Sequence, residues 1–555
     1  MQKLLMSVLV SLLSVLILGG VADAQTETGT LRGAVAATAP EGQSHKVPGA
    51  SLKLKTPTQT LEAVTDAAGE YRFTNLSPGA YTLEVTAGGF KTAGKTVTVR
   101  AGETSVEDIS LVMADAPPDT DAEVPPPASR QNDPAPAAST RQQTGSETYN
   151  SPTARVFQLM LPSEHLLGDW GGLRTKLEER GITPRLILVT DLAGNPRGGR
   201  TQGATAPSSV ELSLYFDLDK IFGLKGGSVF ASFSERWGHN LSAKHIGNTF
   251  STQQIYGFQT WRVIDVSYQQ KLFDDRVELR AGRFAAMDDF LVSPYNFGFM
   301  QNAFCGNPFG ILLNAPGMSA YYGTWAALGK VKPTKRSYVM TGLYDGDPKM
   351  RDNKYHGANL SMKGPLFSIS EAGYQIDGLP GDGRRLGNYK LGAWYDRSTL
   401  ADFETGSVKH GSWGYYGLFD QVLVPFGSPE SNRGFGVFGS VTVAPDSRRQ
   451  QLPLFLTAGV SARGLFSARP RDVAGLAVAS GYFSEDLQRA QRNGRLLGPA
   501  GGVPDHETVV ELTYRFDFRK GAFFIQPDLQ SINRRGGTGH FKDALVLGAQ
   551  LGINF

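Results

Sequence analysis

The chain has 555 residues, a formal net charge of +3 and a single cysteine, Cys305. A near-neutral balance argues against a nucleic-acid-binding or basic membrane-surface protein, and one cysteine excludes an intrachain disulfide. The eight histidines stand in neither His-x-x-Glu nor His-Glu-x-x-His spacing, so the common zinc hydrolases are disfavoured and no catalytic residue, metal or cofactor is expected.

The first residues, Met1-Gln2-Lys3, precede an apolar run from Leu4 to Leu18 and a small-residue Ala22-Asp23-Ala24 site. That order describes a cleaved secretory signal over residues 1–24; a retained anchor would need about 20 apolar residues. Beyond Gln25 no run approaches the length of a membrane-spanning helix, and the mean hydropathy is slightly negative. A soluble secreted protein fits those facts. So does an outer-membrane β-barrel, whose alternating strands leave hydropathy scales nearly blind.

Residues 29–113 read as a compact β module. Short alternating runs are broken at Pro48-Gly49, Ala68-Gly69, Pro78-Gly79 and Gly88-Gly89, the punctuation of a small antiparallel sandwich. Tyr71 and Phe73, then Tyr81, Leu83 and Val85, supply one apolar face. The stretch "TDAAGEYRFTNLSPGAYTLEVTAGGF" resembles the carboxypeptidase regulatory-like domain, a prealbumin-like β-sandwich. That resemblance implies a structural or adhesive module without catalytic groups. Residues 114–150 then carry "APPDTDAEVPPPASRQNDPAPAAST", too poor in apolar side chains to offset its ordering entropy. It is expected to be a linker. Extended proline-rich chain advances about 3.1 Å per residue, so some thirty residues reach on the order of 100 Å.

In residues 163–181, Trp170, Leu173 and Leu177 are spaced for a short amphipathic helix ended by Gly181. From Ile182 onward the two-residue period of strands takes over. "SSVELSLYFDLD" places Val210, Leu212, Leu214, Phe216 and Leu218 on one face, and "ETVVELTYRFDF" does so with Val510, Leu512, Tyr514, Phe516 and Phe518. "GAFFIQPDLQSI" sets Phe523, Ile525, Pro527 and Leu529 against Phe524, Gln526, Asp528 and Gln530. The closing "DALVLGAQLGINF" alternates from Leu545 to Phe555. Any one such strand suits a sandwich. Together they predict an all-β fold, a 16-stranded antiparallel transmembrane β-barrel over 182–555, at about 23 residues per strand and turn. A closed barrel leaves no edge, so its last strand pairs with its first.

"LLGDWGGLRTKLEERGIT", "VSYQQKLFDDRVELRAGRFAAMDDFLVSPY", "GLYDGDP" and "IQPDLQSINRRGG" with the final strand together resemble the carbohydrate-selective porin (OprB) family over residues 163–555. The resemblance implies a sixteen-stranded outer-membrane barrel that passes small, glucose-like sugars by facilitated diffusion. It also implies partners: small carbohydrates, outer-membrane lipid, and an assembly machinery that reads the terminal Phe555. The β-sandwich would then lie in the periplasm, with its own partner unassigned, and the barrel would stand as a homotrimer or a monomer. No nucleic acid is expected.

A channel selective for sugars needs inward side chains that exchange hydrogen bonds with hydroxyls, weakly enough to let them leave. Strand phase offers Arg236, Glu278, Arg280, Glu511, Arg515, Asp517, Gln526 and Asp528. Each could equally be an ordinary lumen residue that holds the barrel's shape. The segment "NFGFMQNAFCGNPFGILLNAPG" reads as a loop, either folded into the pore or lying on the surface. Two other functions compete: a TonB-dependent-type active transporter, which needs a plug and 22 strands, and a barrel that anchors an adhesive β-sandwich.

Overall fold

The computed structural model describes residues 29–111 and 164–555, apart from brief stretches outside the strands. The expected signal (1–24) and linker (114–150) lie outside the described residues. The chain divides into two compact units, one on each side of Ser129–Arg130.

The first unit is a two-sheet β-sandwich. Gly29–Thr38 pairs antiparallel with Ser44–Lys46 and Glu70–Leu76, and parallel with Thr104–Val106 and Ile109–Leu111. The facing sheet runs Thr60–Val64, Ser51–Lys55, Gly79–Thr86, Ala93–Val99. Tyr71, Phe73, Tyr81, Leu83 and Val85 all enter one core with Leu31, Val35, Leu52, Leu54, Val97 and Val99. The alternation read from the sequence is therefore the buried face. Gly33 admits close approach, since a Cβ there would meet the Glu107 carbonyl at 1.8 Å.

The second unit is a closed antiparallel barrel of sixteen long strands, with a two-residue strand, Ala204–Thr205, beside the first. In chain order they are Ile182–Arg197, Ser208–Asp217, Gly227–Trp237, Trp261–Leu272, Val277–Phe284, Thr324–Val331, Ser337–Asp345 and Leu366–Ile376. They continue with Gly387–Ala401, Val408–Pro425, Gly434–Val443, Leu454–Arg463, Val473–Tyr482, His506–Phe518, Phe523–Asn533 and Ala544–Asn554. The last strand closes on the first in a register from Ile187–Asn554 to Arg197–Leu545. Sixteen strands, not 22, form this wall.

The faces follow the two-residue period. Leu212, Val266, Leu279, Leu343, Leu391, Leu476, Leu512 and Leu547 point outward and are each at least 40% exposed. Exposed Trp237, Trp261, Trp413, Tyr415 and Tyr482 lie towards the rim opposite the chain ends; Tyr268, Tyr374, Tyr389, Phe419 and Phe516 lie towards the other. An apolar belt between two aromatic girdles is the surface a barrel shows to lipid.

The segment before the first strand lies on the seam of the barrel. A 3-10 turn, Trp170–Gly172, leads into the helix Leu173–Glu179, and Gly181 follows at φ +85°. The expected helix is there, but the side chain it buries is Arg174, while Leu173 stands 53% exposed. Arg174 donates to the carbonyl of Pro184 (2.9 Å) and to the main-chain oxygen of Phe555 (2.7 Å), and its guanidinium lies 4.2 Å from the Trp170 ring centre. The Leu166 N–H and the Asn554 side-chain amide add hydrogen bonds at the same place. First and last strands are thus tied by one short segment.

Candidate functional site

The inner face of the wall is polar at many positions, as the alternation requires, yet part of the space it encloses is filled by chain. The described residues from 285 to 323, between the fifth and sixth strands, fold inward. Among them Phe290, Phe299, Met300, Phe304, Phe309 and Met318 are at most 2% exposed. Phe299, Met300, Phe304 and Phe309 pack with wall residues Phe438, Phe455, Val509, Ile532 and Val546. Phe290 and Met318 pack with Phe367, Ile369, Trp394, Tyr416 and Leu418 on the other side. A second inward segment, between the third and fourth strands, brings Phe250 within 5.4 Å of Phe309 and 5.2 Å of Phe455 in edge-to-face contact. A Cβ on Gly548 of the last strand would meet Met300 Cε at 2.8 Å. Of the two readings of the glycine- and aromatic-rich loop, the inward one is the structure.

A buried loop carries main-chain N–H groups that must be paired, and a buried carboxylate needs donors. The wall meets both needs at once. Glu511 accepts from the N–H of Met300 (2.6 Å) and of Gln301 (3.0 Å). Glu371 accepts from the Leu291 N–H (3.0 Å) and from the hydroxyls of Tyr338 and Tyr416. Asp396 accepts from the Gly317 N–H (2.7 Å), and Glu507 from the N–H groups of Thr249 and Phe250. Gln526 donates to the Gly298 carbonyl (2.9 Å) and Gln530 to that of Thr252 (3.0 Å).

The residues singled out from sequence all belong to the inner side or rim of this wall, in several roles. Arg280 is buried and committed: it donates to Asp265 (2.6 Å), Asp289 (2.7 Å) and Ser267 (3.1 Å), and stacks 3.8 Å from the Phe284 ring centre. Through Asp289 it fastens the start of the inward loop. Glu278, on the same face, lies in register with Lys271 and Lys330 and keeps partial exposure. Glu511 and Gln526 hold the loop as described. Asp528 accepts from Gln530 (2.8 Å) and faces Glu511. Arg236 is buried on the inner face of the third strand, within electrostatic reach of Asp191. Asp517 accepts from Arg471 (3.1 Å) near the rim that bears the chain ends. Arg515 lies flat on Phe524, 3.5 Å from its ring centre.

Strand phase alone did not find the anchors Asp265, Asp289, Glu371, Asp396 and Glu507, nor the inward Arg185 and Arg463. Cys305 is buried and forms no disulfide.

Comparison with known proteins follows the same division. Residues 201–555 match the model of the family described as "Carbohydrate-selective porin, OprB family", and residues 30–112 match the carboxypeptidase regulatory-like domain. The chain is 28% identical to Porin B of Pseudomonas aeruginosa over 429 residues, which is 70% of this chain and 91% of that protein. Among solved structures it is similar to Pseudomonas putida OprB at high pH, with a TM-score of 0.65 and 27% identity over 71% of this chain and 99% of that one.

Proposed function

Because the chain belongs to the carbohydrate-selective porin, OprB family, and is an outer-membrane sugar porin, we propose that glucose-sized neutral sugars are its principal cargo. They cross by passive diffusion past the inward loop, entering the periplasm. The protein is a channel rather than an enzyme. The observation that carries the reading is the loop 285–323 held inside a closed sixteen-stranded wall by side chains of that wall. A loop that shapes a passage must hold its place against solvent, and hydrogen bonds from the wall hold this one.

In this reading Glu278, Asp517, Arg236 and Arg515 meet sugar hydroxyls. Arg280, Glu511, Gln526 and Asp528 position the loop that shapes the path. The β-sandwich lies in the periplasm, joined to the barrel through the linker expected over 114–150, and residues 25–150 serve tethering rather than conduction. Lipid covers the outer belt, the assembly machinery inserts the barrel, and the homotrimer and the monomer remain two forms to be separated by measurement of mass in detergent.

The test is sugar flux through the purified protein in liposomes, with single-channel current recorded against a panel of sugars. Glucose should enter faster than a disaccharide and should reduce ion current reversibly. Flux that depends on an energised partner, or no flux with correct insertion, refutes passive transport.

A further inference from the structure

Four guanidinium groups converge inside the barrel near the rim that bears the chain ends. Arg185 lies near the start of the first strand, Arg463 ends the twelfth, and Arg515 lies near the end of the fourteenth. Arg471 sits in the turn before the thirteenth. Arg185, Arg463 and Arg515 are 5%, 1% and 7% exposed. Arg515 is within electrostatic reach of Arg185, Arg471 and Asp517, and Arg463 within reach of Arg471 and Asp517. Asp517 is within reach of Arg463, Arg471 and Arg515 and is already engaged by Arg471 at 3.1 Å, while the buried Asp472 beside it is taken by Arg469 at 2.6 Å, so the cations outnumber the carboxylates.

Arg515 is the informative member. Its face is covered by Phe524, and among the described residues it makes no hydrogen bond or ion pair. A side chain more than nine-tenths buried therefore keeps its planar fork of donors unspent. His165, in the segment before the barrel, has its imidazole held down to about 4, by burial first and then by Arg174 and Arg185.

Hydroxyls are served as well by carboxylates as by guanidinium groups, so a neutral sugar gives no reason to gather charges of one sign. Crowded cations away from bulk water cost stability. An anion relieves that cost and can take the bidentate geometry that arginine presents. Resting on the sugar-porin reading, we infer that this mouth is a subsite for the carboxylate of an acidic monosaccharide, a uronate or aldonate, whose hydroxyls follow the same path as those of neutral sugars.

The experiment uses the full chain in liposomes, with potassium and valinomycin holding the membrane potential near zero. Influx is compared for gluconate, glucose and glucosamine, similar in size and different in charge. Gluconate should enter at least threefold faster than glucose, and glucosamine slowest. Arg515→Gln keeps donors and loses the charge; it should bring the gluconate-to-glucose ratio down towards one. If that variant does not assemble, Arg185→Gln carries the same comparison. A wild-type ratio near one, or a ratio unmoved by charge removal, overturns the inference and leaves the porin reading standing. An equal preference for acetate over acetamide would make the mouth a general anion filter and overturn it as well. Absence of flux for all three sugars overturns both.

Discussion

Replacing Arg174 by Ala cuts the tie across the seam between first and last strands. Two hydrogen bonds from a charged donor are lost, to Pro184 at 2.9 Å and to Phe555 at 2.7 Å, together with the stack on Trp170. Such hydrogen bonds are worth roughly 1.5–3 kcal/mol each, and water at the rim replaces part of that, so the lower figure applies. The stack adds about 0.5–1 kcal/mol. The sum is a loss of about 3.5–4 kcal/mol of unfolding free energy. Arg174→Lys keeps the charge but cannot span both carbonyls, so it should lose about half as much. The assay is urea unfolding of the refolded barrel in detergent micelles, followed by tryptophan fluorescence and by the gel shift between folded and unfolded forms. An Ala variant as stable as the parent would refute the seam as a stabilising device. A Lys variant as stable as the parent would show that only charge matters there.

Four other outcomes are expected. Leu547 is 53% exposed on the outer face, so Leu547→Arg should cost about 2–4 kcal/mol near the bilayer midplane and lower the inserted fraction in membrane fractionation, whereas Leu547→Ile should not. Glu511→Gln replaces a two-oxygen acceptor by an amide with one, releasing the N–H of Met300 or of Gln301; single-channel records should become noisier and sugar block weaker by several-fold. His165 is neutral in the fold well below its ordinary range, so its contribution is full above about 6.5 and lost as pH falls towards about 4. With screening at a half-buried site that is up to about 1–2 kcal/mol, and His165→Gln should flatten the pH dependence of the urea midpoint over that window. Finally, a signal peptide joined near Ser151 should give channels of unchanged conductance; correct insertion without conduction would make the sandwich part of the gate.

Strand phase was legible because lipid demands an unbroken apolar outer face: Leu545, Leu547, Leu551 and Ile553 could be assigned outward without a partner in view. The inner face was legible only as polarity. That Arg280 points inward follows from Leu279 and Ala281; that Asp265 and Asp289 receive it depends on cross-strand register and a loop's path, which periodicity does not encode. One signal did lie in the sequence. Val509 beside Val510, Val546 between Leu545 and Leu547, and Phe438 beside Val437 make these strands apolar on both faces. A water-filled lumen would not tolerate that, and the inward aromatic loop is its explanation.

Beside the side-chain contacts of Asp289 and the buried aromatics, the wall grips its inward loop by peptide groups: Met300, Gln301, Leu291 and Gly317 are held through N–H, and Gly298 through its carbonyl. A grip of that kind does not read side chains. Residues of the loop that face the passage can therefore be exchanged while its course through the barrel stays put. Cargo preference and scaffold are separable traits in this molecule, and a library confined to those loop positions should change which solutes pass without relearning how to fold.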